Sequence, residues 1–188
     1  MNMNVYEACP VIENELFLIR KIEKKDAEDL LKVYSDKKAV PIFNSDNCTG
    51  DFYVTTMEDM HRMIDFWELE YQRKCYVRWS IVDKNTHEVI GTIELFNRKA
   101  EDYFHECGLL RLDVRSDYEE EMRLRSILEL ITIPAYEWFA CDMVATKAVP
   151  LAVERIKALM ALGYVSSKEV INGHDGTTYG DYWERKRV

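Results

Sequence analysis

Three consecutive carboxylates, Glu119, Glu120 and Glu121, lie inside the run "VRSDYEEEMRLR" at residues 114–125, with Arg123 and Arg125 close behind. At a helix start, these residues can do one of two things. The arginines can supply charge to an anion site, or the carboxylates can satisfy the helix end themselves. The spacing favours the second. Ser116 and Glu119 have capping-box spacing. Acidic residues in a first turn complement the helix dipole by about 0.3–1 kcal/mol each. Glu119 with Arg123, and Glu121 with Arg125, stand four residues apart in the better orientation for ion pairs. The pattern predicts a helix starting within about two residues of Asp117.

Other reactive side chains are placed by their strands. Thr146 and Lys147 close the short strand-like run "DMVATKAV", at the strand end where an open α/β sheet holds ligands. In "HECGLLRLDV", Leu110, Leu112 and Val114 share one face and Arg111 and Asp113 the other. Glu106 and His105 stand at the head of that run, beside Cys107. Neighbours at this spacing make no catalytic dyad by themselves. Glu94 reads as the ion-pair partner of Arg78. His61, His87, His105 and His174 show no metal-ligand spacing, so no metal site is expected. "NGHDG" reads as a hairpin turn.

The elements that must position these residues follow from periodicity. "ELFLIRKI" is a strand. "KKDAEDLLKVYSD" is a helix with Asp26 at its N-cap. Residues 40–56 are irregular and aromatic-rich. Thr56 and Asp59 cap a helix whose stripe is Met60, Met63, Ile64, Trp67 and Tyr71. "CYVRWSIVD" and "EVIGTIELFN" make a hairpin, and only one register, Trp79 opposite Ile93 and Arg78 opposite Glu94, aligns the polar faces. A long helix runs from about Ser116 past Ile131, kinked or divided at Pro134. Pro150 and Gly163 bound the last helix. The end of the chain is a hairpin, finishing in a solvated basic strand end, "ERKRV". The expected fold is α/β, or α+β: a mixed, mostly antiparallel twisted sheet of six to seven strands with helices on both faces.

Composition sets limits. The chain has 188 residues, a length that suits one domain, and 47% of them are apolar, enough for a core. A net charge of −9 argues against nucleic acid and anionic membrane as partners. Five scattered cysteines without paired spacing read as free thiols of a reducing cytoplasm. No signal peptide or membrane-spanning run is visible. The expected location is cytoplasmic.

The order of elements resembles the GNAT superfamily of N-acetyltransferases, most closely the branch that acetylates ribosomal-protein N-termini. The supporting stretches are "LFLIRKIEKKDAEDLLKVYSD", "VIGTIELFN" and "ERIKALMALGY". The resemblance implies one domain over residues 1–188 that moves an acetyl group from acetyl-CoA to a primary amine of a small molecule or peptide, with room for a homodimer. It implies that pantetheine bonds to main chain near Leu112 and Val114, in a gap between the family's fourth and fifth strands. Arg123 would supply charge to the diphosphate, Thr146 and Lys147 would line the cleft, and Glu106 would be the general base. The family's phosphate loop, Q/R-x-x-G-x-G/A, falls on Glu119, Met122 and Leu124, and all three depart from it. The asparagine and tyrosine usual in the family's later helix are replaced by Ala152 and Leu159. A carboxylate ~6 Å from a diphosphate charge costs about 1.4–3 kcal/mol at an effective dielectric of ~20–40. The alternative reading is a non-catalytic GNAT-fold protein that binds a ligand or partner and has lost normal acyl-CoA binding.

Overall fold

The computed structural model describes residues 4–187. Strands β1 (Ile12–Glu13), β2 (Phe17–Lys21), β3 (Val77–Asp83), β4 (Val89–Asn97), β5 (Gly108–Val114), β6 (Met143–Lys147), β7 (Val165–Ser166) and β10 (Tyr182–Lys186) form one eight-stranded sheet. Its order is β1-β2-β3-β4-β5-β6-β10-β7. The strands β8 (Ile171–Asn172) and β9 (Thr178–Tyr179) pair separately. In the large sheet every pairing is antiparallel except β5 with β6. The expected mixed, mostly antiparallel sheet is therefore present. It has one or two more strands than periodicity suggested, because two-residue strands leave no alternating pattern to read.

Helices α1 (Ala27–Tyr34), α2 (Met57–Gln72), α3 (Glu121–Trp138) and α4 (Val153–Ala161) cover the sheet. Leu124, Leu128 and Ile131 of α3, with Leu159 of α4, pack on Trp79, Ile93 and Leu112. On the opposite face, α1 and α2 form their own core from Leu30, Val33, Met60, Ile64 and Trp67. Thr56 caps α2 as expected, its hydroxyl accepting the Asp59 N–H at 3.1 Å. Asp26 stands at the α1 N-cap position, but its carboxylate goes elsewhere. It binds Arg20 at 2.6 and 2.8 Å and the Ser80 hydroxyl at 2.7 Å. Pro134 lies inside α3, which continues through it. Pro150 precedes α4 by a turn rather than starting it, while Gly163 follows the helix with a φ of +81° that suits glycine.

The β3–β4 hairpin has the register that polar pairing requires: Arg78 opposite Glu94, Trp79 opposite Ile93, Ser80 opposite Thr92. A bulge between Ile81 and Val82 shifts the end of that ladder. Facing α1 and α2 is a buried polar layer. Arg78 pairs with Glu94, and Tyr34 bonds Thr92 at 2.8 Å and Asp113 at 2.9 Å.

Gly91 in β4 fixes how closely β5 can approach. A Cβ there would meet Asp113 O at 2.2 Å and Val114 Cα at 2.9 Å, both backbone. Gly91→Ala is expected to destabilise the fold by about 2–3 kcal/mol, as overpacking against an unyielding strand does. Urea unfolding measures this, and an unchanged midpoint would refute the close approach.

Candidate functional site

β5 and β6 pair over only three positions, Gly108↔Val144, Leu109↔Ala145 and Leu110↔Thr146. Beyond these the strands part, and β5 runs on to Val114 bonded only to β4. The Arg115 N–H donates to Ile90 O at 2.9 Å. By alternation, the odd residues of β5 turn their main chain to β4, and Leu112 and Val114 turn theirs to the gap.

The gap already has an occupant. Arg155, from the first turns of α4, is 2% exposed. Its Nη1 donates to Leu112 O at 2.8 Å. Its Nε and Nη2 donate to the two oxygens of Glu119, each at 2.8 Å. The planar fork matches a carboxylate face to face, the strongest geometry for such a pair. Close by, the Glu121 N–H at the start of α3 donates to the Glu154 carboxylate at 3.3 Å.

This corrects the local reading of the glutamate run. A single 3-10 turn, Ser116–Tyr118, comes first, and α3 begins at Glu121 after an extended Glu120 that makes no side-chain cap bond. The Ser116–Glu119 box is not formed. Instead the Ser116 N–H donates to Asp36 at 2.8 Å. Arg123 pairs with Glu120 at 3.1 Å rather than with Glu119, and lies over the Tyr118 ring at 4.7 Å. The physical reason is burial. A two-pronged ion pair in the interior outweighs a cap exposed to water.

The other side of β5 faces a cavity of about 1220 Å³. Arg78, Glu94 and Arg111 line it, as do Phe52, Trp67 and Tyr76. Arg78 lies over the Trp67 ring at 4.2 Å. Glu94 is shared between Arg78 and Arg111, the latter at 3.0 Å. Burial opposes the Arg78 charge, but Glu94, Tyr34 and Asp113 around it outweigh that and hold it firmly protonated. Burial raises the Asp113 carboxyl above its ordinary range, with Arg78 and Tyr34 countering in part. Segment 40–56 forms one wall and is tied down. Asp46 accepts Lys147 Nζ at 2.7 and 2.9 Å and the Tyr182 hydroxyl at 2.8 Å, and Arg111 donates to its backbone oxygen at 2.7 Å.

Of the residues singled out from sequence, Leu112 and Val114 border the gap. Thr146 is buried at its lower end, in the last β5–β6 pair. Lys147 is committed to Asp46, and Arg123 is half exposed and committed to Glu120. Glu106 is not on a strand. It lies in the turn before β5, exposed, with φ +56°. A bond from Lys99 Nζ at 2.7 Å holds its carboxyl below the usual range, the wrong direction for a base at neutral pH. Sequence reasoning missed Arg155. A lone arginine on an amphipathic helix reads as solvated, and its partner is 36 residues away.

The gap as it stands does not fit a pantetheine–diphosphate chain. Leu112 O is taken by Arg155, and the Glu121 amide by Glu154. Nor does the turn at 116–121 contain a glycine for close backbone approach.

The family model of the acetyltransferase (GNAT) domain matches residues 17–118, more than half of the chain. The chain belongs to the GNAT acetyltransferase family. A curated relative, "Uncharacterized N-acetyltransferase YoaA" of Bacillus subtilis (strain 168), is 29% identical over 84 residues, or 45% of this chain. That match spans 44% of the relative's length, under half of it. Among solved structures, the ribosomal-protein-S5-alanine acetyltransferase of Vibrio fischeri is 19% identical, with a TM-score of 0.67, covering 95% of this chain and 97% of its own. Mycobacterium smegmatis RimJ in complex with CoA-disulfide is 11% identical, with a TM-score of 0.68, covering 93% and 84%. At these identities the likeness is one of fold. Acetyl-CoA is the donor of GNAT acetyltransferases. Among the described residues, no helix is long and apolar enough to cross a membrane.

Two outcomes are expected. Glu106→Gln leaves kcat/KM within about twofold of the wild type, since an exposed, lysine-paired carboxylate makes a poor base. A tenfold loss would restore it to the site. Glu94→Ala strands Arg78 and Arg111 without their shared partner and costs about 3–5 kcal/mol in a denaturant titration. A loss under 1 kcal/mol would mean that water replaces Glu94 readily, roughly as at a surface pair.

Proposed function

We propose that this chain is an N-acetyltransferase that moves an acetyl group from acetyl-CoA to a primary amine of a small molecule or peptide, acting as one GNAT-like domain over residues 1–188. Family membership supports the reaction class. One observation supports the placement: adjacent residues of β5 serve the two sites. The Arg111 side chain lines the cavity and the Leu112 main chain borders the gap. An amine in the cavity and a donor in the gap would then meet across a single strand. Glu94, held by two arginines, is the counter-ion of the cavity floor in this reading. Arg123 and Lys147, both in ion pairs, are secondary to main chain in holding the donor.

A second reading draws on the Arg155–Glu119 pair. A protein with its gap filled from within could bind a ligand in the cavity and carry out no transfer. Thiol release from acetyl-CoA, measured against a panel of small amines and N-terminal peptides, separates the two. Release that depends on the amine supports transfer, and its absence across the panel supports the second reading.

Under either reading, acetyl-CoA is expected to bind weakly, with Kd above about 100 μM, near −5.5 kcal/mol or weaker. Calorimetric titration measures it. A low-micromolar Kd would mean that the occupied gap opens at little cost.

A further inference from the structure

We propose that Arg155 and Glu119 are an internal occupant of the donor gap, and that Glu119 sets how tightly an acyl-CoA binds there. The inference rests on the donor reading given above. Arg155 spends three nitrogens inside the chain. One caps Leu112 O, the gap-facing acceptor, and two hold Glu119. The buried neighbours of Arg155 on α4 are Ala158 and Leu159, so the guanidinium is held by its polar partners, Leu112 O and Glu119, rather than by polar neighbours on its own helix. Buried ion pairs are commonly no more stabilising than the apolar groups that could replace them.

The chemistry of the pair matches that of an acyl-CoA diphosphate. A guanidinium fork that takes a carboxylate in two-pronged fashion takes a phosphate equally well. The Glu119 carboxylate stands where an anion meets Arg155, and the Glu154 carboxylate stands where an anion meets the Glu121 amide. The protein's own carboxylates thus hold both anion positions at this end of the gap. Entry of an acyl-CoA is an exchange without covalent change. The diphosphate takes Glu119's place on Arg155, and pantetheine takes Arg155's place on Leu112 O. Only the fraction of molecules with the pair parted can accept the donor, so the apparent affinity falls by that fraction.

Coenzyme A itself is the probe, since it binds without turnover. It is titrated calorimetrically into the wild type, Glu119→Gln, Glu119→Ala and Glu120→Gln, with thermal melts confirming that each is folded. Glu119→Gln removes the carboxylate but keeps its shape, and it is expected to bind CoA about tenfold tighter or more. Glu120→Gln makes the same charge change at an exposed neighbour and is expected to bind less than about threefold tighter, as screened surface charges do. Glu119→Ala removes the carboxylate and its reach, leaves water access to Arg155 and keeps the guanidinium for the diphosphate, and it is also expected to bind tighter than the wild type. It decides the matter alone if Glu119→Gln does not fold. If the wild type binds CoA and neither Glu119 variant binds tighter, the occupant role is overturned and the donor reading stands. Equal gains for Glu119→Gln and Glu120→Gln would also overturn it, by showing a general charge effect. If no variant binds CoA at all, the donor reading fails and takes this proposal with it.

Discussion

A parallel strand pair that parts midway leaves backbone acceptors in the protein interior without a ladder, and an unpaired buried carbonyl costs free energy that the fold must recover. The parting of β5 from β6 after Leu110↔Thr146 creates that problem at Leu112. An arginine on the following helix answers it. Once Arg155 is drawn into the gap to reach Leu112 O, its charge needs a buried partner, and Glu119 supplies one. That in turn holds residues 119 and 120 out of the helix and delays α3 to Glu121. The shape of this end of the molecule follows from one unsatisfied carbonyl and the charge recruited to serve it.

The opposite face of the sheet meets a different constraint. Arg20, Arg78 and Arg111 point from it toward α1, α2 and segment 40–56, where burial removes most of the water from their guanidinium groups. Asp26, Glu94 and the Asp46 backbone take one each. Arg78 gains further from lying on Trp67. A buried network of this kind is costly to break and defines one arrangement of the layers. It also leaves the cavity with a polar floor and aromatic walls, a surface suited to a ligand that carries both kinds of group.

Much of this fold was legible in the sequence, and the illegible parts trace mainly to side chains whose partners lie far along the chain. The Arg78–Glu94 register could be read because strand periodicity is local and a one-residue slip would turn every apolar side chain outward. The cap of α2 could be read because Thr56 and Asp59 are in reach of each other whatever the rest of the chain does. The start of α3 could not, because Glu119 answers to Arg155, and local spacing carries no information about a partner on another helix. Lys147 ends its strand as the pattern predicts, but its charge is committed to Asp46, 101 residues away. Glu106 reads as part of β5 because apolar residues follow it directly, yet the chain turns there with a positive φ and the strand starts at Gly108. For Glu119 and Lys147 the pattern found the neighbourhood and a distant charge partner decided what the side chain did, whereas at Glu106 a local turn ended the pattern.

The two faces are not independent. Lys147 at the end of β6 holds Asp46, the Asp46 backbone oxygen takes Arg111 of β5, Arg111 shares Glu94 with Arg78, and Arg78 lies on Trp67 of α2. This chain of contacts spans the strands that border the gap and ends in the cavity wall. Widening the gap moves β6 away from β5, which pulls Lys147 and Arg111 in opposite directions on the one residue that both hold. Segment 40–56 then either follows β6 or gives up a buried bond to β5.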